Sequence, residues 1–147
     1  MTKAWTRARS RHRRATLECM VEHHLVTMHV VGRPSSYSSS YEKPWKDSVR
    51  AAVAATGAQP QDARFAVRLE FRIAAPRNAN EVLDLDNLIK PTLDAMEGIF
   101  GPRPWKGHPQ PADDRVDRLE AVKRLPHEGE LPGATIDVWV ITPDSLQ

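Results

Sequence analysis

Residues 65 to 73 read Phe-Ala-Val-Arg-Leu-Glu-Phe-Arg-Ile, and this stretch limits the fold more tightly than any other. Phe65, Val67, Leu69, Phe71 and Ile73 share one parity, while Arg68, Glu70 and Arg72 share the other. A two-residue period is that of a β-strand with one buried face. The chain must therefore build a sheet and supply something apolar to cover one side of it. Arg68 and Arg72 should project from the opposite side, where they are available to phosphates.

The cover is found in two helical patterns. Pro44 suits a first helical turn, and Trp45, Val49, Ala52 and Val53 then fall on one face until Thr56-Gly57. In the second pattern Leu85, Leu88, Ile89, Leu93, Ala95 and Met96 lie on one side, and Asp86, Lys90, Asp94 and Glu97 on the other. Pro91 would remove a backbone hydrogen bond from a helix that started at Asp86. The regular helix is therefore expected to begin near Leu88 or Ile89, with residues 84–87 as a tight non-helical turn and Gly98 as its stop. Further strands are expected at Leu25 to Val31, at Val116 to Lys123 and over 134–142. The segments "GRPSSYSSSY" and "GPRPWKGHPQPA" (101–112) read as loops, the second unusually long. Trp45 and Trp139 are expected in the core, and His23, His24 and His108 on the surface. The order of elements predicts an α+β fold: a small mixed sheet with two helices packed on one face.

The chain has 147 residues, enough for one domain with a real core. Its single cysteine, Cys19, excludes an intramolecular disulfide and suits a reducing compartment. No stretch approaches the roughly 20 apolar residues that cross a bilayer, and no apolar run follows the basic start as a secretory signal requires. A cytoplasmic protein with no membrane association is the expectation. Charge is uneven along the sequence. Lys3, Arg7, Arg9, Arg11, Arg13 and Arg14 face one acid, Glu18, in the first 20 residues, leaving 15 of the 21 basic and 18 of the 19 acidic residues for the remainder. Residues 1–22 are expected to form a basic arm and residues 23–143 the folded domain. Such an arm attracts nucleic acid by neutralising phosphates; it reads equally as a disordered tail, or as an extension upstream of a start at Met20.

One segment carries candidate chemistry. In "DLDNLIKPTLDAMEG" (84–98), Asp84 and Asp86 are two apart, and Lys90 follows Asp86 by one helical turn. Asp113 and Asp114 precede another strand, where they can meet the first pair. A hard cation such as Mg²⁺ takes oxygen ligands, activates water and offsets phosphoryl charge, and a lysine nearby stabilises developing negative charge. The alternative is structural: Asp86 or Asn87 caps the helix, Asp86–Lys90 and Lys90–Asp94 are surface pairs, and Asp113-Asp114 solvates a turn. The spacing of the acids alone leaves both readings open.

Taken together, the two blocks resemble the RusA family of Holliday junction resolvases. The resemblance rests on Asp84, Asp86, Asn87, Lys90, Asp94, Ala95 and Met96, followed by Asp113, Asp114, Val116 and Lys123. It extends roughly from Leu25 to Ile141. It implies a Mg²⁺-dependent endodeoxyribonuclease, with Mn²⁺ as a plausible substitute, that cuts four-way DNA junctions in recombination and repair. A homodimer encoded by a bacterium or phage is implied with it. The implied metal-binding carboxylates are Asp84, Asp86 and Asp114, with Asp113 a weaker candidate, and Lys90 is the implied catalytic lysine. Segment 101–112 is longer than is usual in the family, and its Arg103, Trp105 and Lys106 could contact or stack on DNA. A nuclease for other branched or flapped DNA, and a non-catalytic DNA-binding protein, are the alternative readings.

Overall fold

The computed structural model describes residues 20–144, the side chain of Trp105 excepted. The basic stretch of residues 1–19 lies outside the described residues. Residues 20–22, also assigned to the arm, open the first strand.

Four strands form the main sheet: β1 (Met20–Val31), β2 (Arg64–Arg72), β5 (Val116–Arg124) and β6 (Gly133–Pro143), in the order β1-β6-β2-β5. β6 runs antiparallel to both β1 and β2, whereas β5 is parallel to β2. The sheet is thus mixed, as the order of elements predicted. Parallel neighbours cannot be joined by a hairpin and need a long crossover. Here the crossover is the whole of 73–115, and every candidate site residue lies on it.

Alternation in β2 works as expected on one face. Phe65, Val67, Leu69 and Phe71 are fully buried, together with Met28 and Val30 of β1 and Ala134, Ile136 and Val138 of β6. Helix α1 (Glu42–Ala55) supplies Trp45, Val49 and Val53 to the same core. Helix α2 (Leu85–Asp94) adds Leu88 and Leu93, and α3 (Glu97–Phe100) adds Ile99 and Phe100. Burying each of the large apolar side chains contributes roughly 1.5–3 kcal/mol. Two buried polar contacts orient α2 against α1: Trp45 Nε1 donates to Thr92 Oγ1 at 3.0 Å, and that hydroxyl donates to the Leu88 carbonyl at 2.9 Å.

The opposite face of the sheet departs from expectation. Arg68 and Arg72 are held by protein groups. Arg68 pairs with Glu70 at 3.1 Å and Glu120 at 3.5 Å. Arg72 is buried, donating to Thr135 Oγ1 at 2.8 Å and to the Leu131 carbonyl at 3.2 Å. Arg124 joins Glu70 at 2.9 Å to Glu130 at 2.6 Å, and Arg118 grips Glu22 at 2.6 Å. The Glu130 carboxyl falls to about 2, first through the Arg124 hydrogen bond and then through the His127 backbone N–H. Trp45 is in the core, but Trp139 is not. It lies half-buried on this outer face, edge-on to His24 at 5.8 Å, because it shares the parity of Thr135 and Asp137.

Helix α2 begins three residues earlier than Pro91 suggested, and the proline sits inside it. Proline leaves the carbonyl four residues back without its helical donor. That carbonyl belongs to Asn87, and the backbone N–H of Tyr37 reaches it at 3.3 Å. A donor from a distant loop thus satisfies the acceptor that Pro91 frees. Gly98 is not the stop either, since it lies within α3. A Cβ there would come within 2.8 Å of Val53 Cγ1, so the glycine permits close packing of α3 on α1.

Segment 101–112 is a β-hairpin rather than a loop, with β3 (Pro102–Trp105) paired to β4 (His108–Pro111). Its turn, Lys106-Gly107, has positive φ at both residues, the form that suits a two-residue hairpin. Pairs in an antiparallel ladder alternate between hydrogen-bonded and non-hydrogen-bonded. The four prolines face one another as Pro102↔Pro111 and Pro104↔Pro109, so all share the class of pair that needs no N–H. Among the described residues no helix is long and apolar enough to cross a membrane.

Candidate active site

Asp84 occupies the N-cap position of α2, in extended backbone. Its backbone carbonyl accepts from Asn87 N–H at 3.1 Å, but its side chain makes no capping bond. Asp86 lies in the first helical turn. Both side chains are exposed, and neither carboxylate has a hydrogen-bond or ion-pair partner among the described residues. Of the structural alternative, the Lys90–Asp94 pair forms at 2.7 Å, whereas Asp86 neither caps the helix nor pairs with Lys90. The approach to this segment is held from below, where Lys123 Nζ of β5 donates to the Leu83 carbonyl at 2.7 Å.

One turn further along, the polar face of α2 meets the second acidic block. Lys90 Nζ donates to Asp94 Oδ1 at 2.7 Å and lies 3.7 Å from Asp113 Oδ2. The Asp94 hydrogen bond holds the Lys90 ammonium above its ordinary pKa; partial burial opposes this, and the charges of Asp94 and Asp113 add to it. Lys90 is therefore a cation at any physiological pH. Asp113 and Asp114 lie in a single 3-10 turn, Asp113–Arg115, just before β5. Arg115 fixes that turn by donating to the Phe100 carbonyl at 2.6 Å and the Gln61 carbonyl at 3.1 Å. The hairpin leans on it too: Arg103 lies 3.5 Å from Asp113 and 3.7 Å from Asp114.

The structure therefore brings together Lys90, Asp94, Asp113, Asp114 and Arg103. Asp84 and Asp86 stand apart at the start of the same helix. No three acidic, histidine or cysteine side chains among the described residues are gathered closely enough to share one ion. Mg²⁺ usually takes only one or two carboxylates, with waters and phosphate completing its shell. The chemistry of the donors fits such an ion: two exposed carboxyl groups without a partner among the described residues, with a protonated lysine beyond them. Asp94 pairs with Lys90, as the helical spacing offered, and so aims its ammonium. Arg103, read as a group for DNA, faces the acids. The hairpin that carries it had looked like a loop.

A family model described as Endodeoxyribonuclease RusA matches residues 7–103, about two thirds of the chain. The matched span contains Asp84, Asp86, Lys90 and Arg103, and it ends before Asp113 and Asp114. No curated protein sequence matches the chain significantly.

Proposed function

The chain belongs to the RusA family of endodeoxyribonucleases, enzymes that resolve Holliday junctions, and from that premise we propose that it is a Mg²⁺-dependent nuclease cutting four-way DNA by paired symmetric nicks. The observation that carries this reading is the state of Asp84 and Asp86. They lie in the matched region, ahead of Lys90, with carboxylates that no cation among the described residues claims.

Asp84 and Asp86 would hold the ion as its two protein carboxylates. Asp114, which stands apart from them beside Arg103, would join only if it moved towards them from the turn before β5. Bound there, Mg²⁺ would supply an activated water and offset charge on the phosphoryl oxygens. Lys90 stays protonated through its bond to Asp94 and stabilises negative charge building on the phosphate. Lys123 steadies the entry to α2 by holding the Leu83 carbonyl, so that Asp84 leaves a fixed point of the sheet. A four-way junction must be cut on two symmetric strands, and a homodimer with two sites related by a dyad answers that geometry. The setting we assign is the cytoplasm of a bacterium, with the gene resident or phage-borne, in recombination and repair of DNA.

The test is a synthetic four-way junction incubated with the purified full chain, with and without Mg²⁺. Paired nicks at symmetric positions, dependent on Mg²⁺ and supported by Mn²⁺, are expected. Equal cutting of forks and flaps would point to a broader branched-DNA nuclease. Junction binding without cutting in either metal would point to a non-catalytic binding protein.

A further inference from the structure

We propose that Arg103 is a positioning residue that governs metal loading: its guanidinium holds Asp114 away from the cation until a DNA phosphate draws it off. The proposal rests on the reading of Asp114 as a metal ligand.

Two features of Arg103 occur together: long contacts, of the length also seen in Arg115–Asp62 at 3.5 Å, and a buried Nε without an acceptor. Its contacts are long, 3.5 Å to Asp113 and 3.7 Å to Asp114. Arg118 binds both oxygens of Glu22 at 2.6 Å, and Arg124 binds both of Glu130 at 2.6 and 2.9 Å. Those are docked forks at the distances of charge-assisted hydrogen bonds. Arg103 instead sits between two carboxylates and docks on neither. Its Nε is buried and has no acceptor. A buried donor without a partner is costly, so this guanidinium is only partly satisfied where it stands.

The element beneath it is suited to carrying such a group. Arg103 faces Gln110 across the two-stranded hairpin, which is paired only with itself among the described strands. Ala112 N–H donates to the Gly101 carbonyl at 2.8 Å and closes the hairpin at its base, immediately before the acidic turn. A phosphodiester offers the planar fork of arginine a better match than two divergent carboxylates do. Handing Arg103 to the substrate would release Asp114 to the ion, so that the acidic set completes when DNA is present.

The experiment titrates Mn²⁺ into the full chain without DNA, following the free-ion EPR signal, for wild type, Arg103→Ala, Arg103→Lys and Asp114→Asn. Arg103→Ala should bind Mn²⁺ roughly two- to fivefold more tightly, the scale of one partly exposed ion pair, and Arg103→Lys should fall back towards wild type. In EDTA, Arg103→Ala should bind a four-way junction more weakly. A gain for metal alongside a loss for DNA is a signature that damage to the hairpin would not produce. Unchanged or weaker Mn²⁺ binding by Arg103→Ala overturns the proposal. Should Asp114→Asn still weaken Mn²⁺ binding in that case, the role of Asp114 stands and only that of Arg103 falls. If Asp114→Asn leaves Mn²⁺ binding unchanged, its assignment as a ligand fails, and the proposal with it.

Discussion

The outer face of the sheet and the mouth of α2 carry the same kinds of side chain and treat them in opposite ways. On the sheet, Arg64 is matched to Asp117, Arg68 to Glu70 and Glu120, Arg118 to Glu22, and Arg124 to Glu70 and Glu130. At the mouth of α2, Asp84 and Asp86 have no such neighbour among the described residues. Between the two regions lies an intermediate case, Asp113 and Asp114, loosely faced by Lys90 and Arg103. A charge with a well-docked partner is part of the architecture. A pair of carboxylates left without one keeps its full affinity for a cation from solution. The role proposed for Asp84 and Asp86 requires that openness.

That contrast can be broken by experiment, starting where the effect should be largest. Lys90→Met should lower the rate of junction nicking by roughly 100-fold, the scale of removing one preorganised donor, with little change in melting temperature. A rate within a few fold of wild type would place Lys90 among the structural charges after all. Thr92→Val leaves Trp45 Nε1 without its acceptor inside the core and should cost about 1–3 kcal/mol in urea unfolding. No loss would mean that the Trp45–Thr92 contact does not fix α2 in place. Arg124→Ala should lower the melting temperature by less than Thr92→Val does and leave nicking per folded molecule unchanged. A fall in nicking would show that the outer face takes part in the reaction.

Glu130→Gln should have the smallest effect, and one that depends on pH. The folded-state carboxyl is depressed to about 2 from an ordinary 4.5. Its contribution is therefore complete above the unfolded value and is lost as pH falls from about 4.5 towards 2. The melting-temperature gap between wild type and Glu130→Gln should be constant near neutrality and close across that acidic window. A gap that persists to pH 2 would remove the Arg124 pairing as its cause.

The sequence disclosed those parts whose partners are near in the chain or repeat with a fixed period. The alternation of residues 65–73 gave the buried face of β2, and the helical spacing of Trp45, Val49 and Val53 gave α1. Asp84, Asp86 and Lys90 stood out as candidates because they sit within seven residues. That Lys90 would turn to Asp94 and Asp113, and not to the first pair, depended on the fold. What stayed hidden depended on distant donors or on pairing class. Pro91 argued against the first turns of α2, and only the Tyr37 N–H, about fifty residues upstream, makes that helix tolerable. Four prolines disguised a hairpin as a loop, because their register places them opposite one another. The burial of Arg72 required knowing that Thr135 and the Leu131 carbonyl would meet it. Trp139 was a different kind of miss. Its parity with Thr135 and Asp137 was present in the sequence, but its large apolar ring argued for the core.

The central claim is that the unpaired acids at the start of α2 serve the reaction and not the fold. Asp86→Asn tests it most directly, by nicking of a four-way junction in Mg²⁺ measured beside junction binding and thermal melting. The account predicts a protein that melts at or slightly above the wild-type temperature and binds the junction within about twofold of wild type, since no phosphate-neutralising cation is removed, yet leaves the strands uncut. Nicking at the wild-type rate would contradict it.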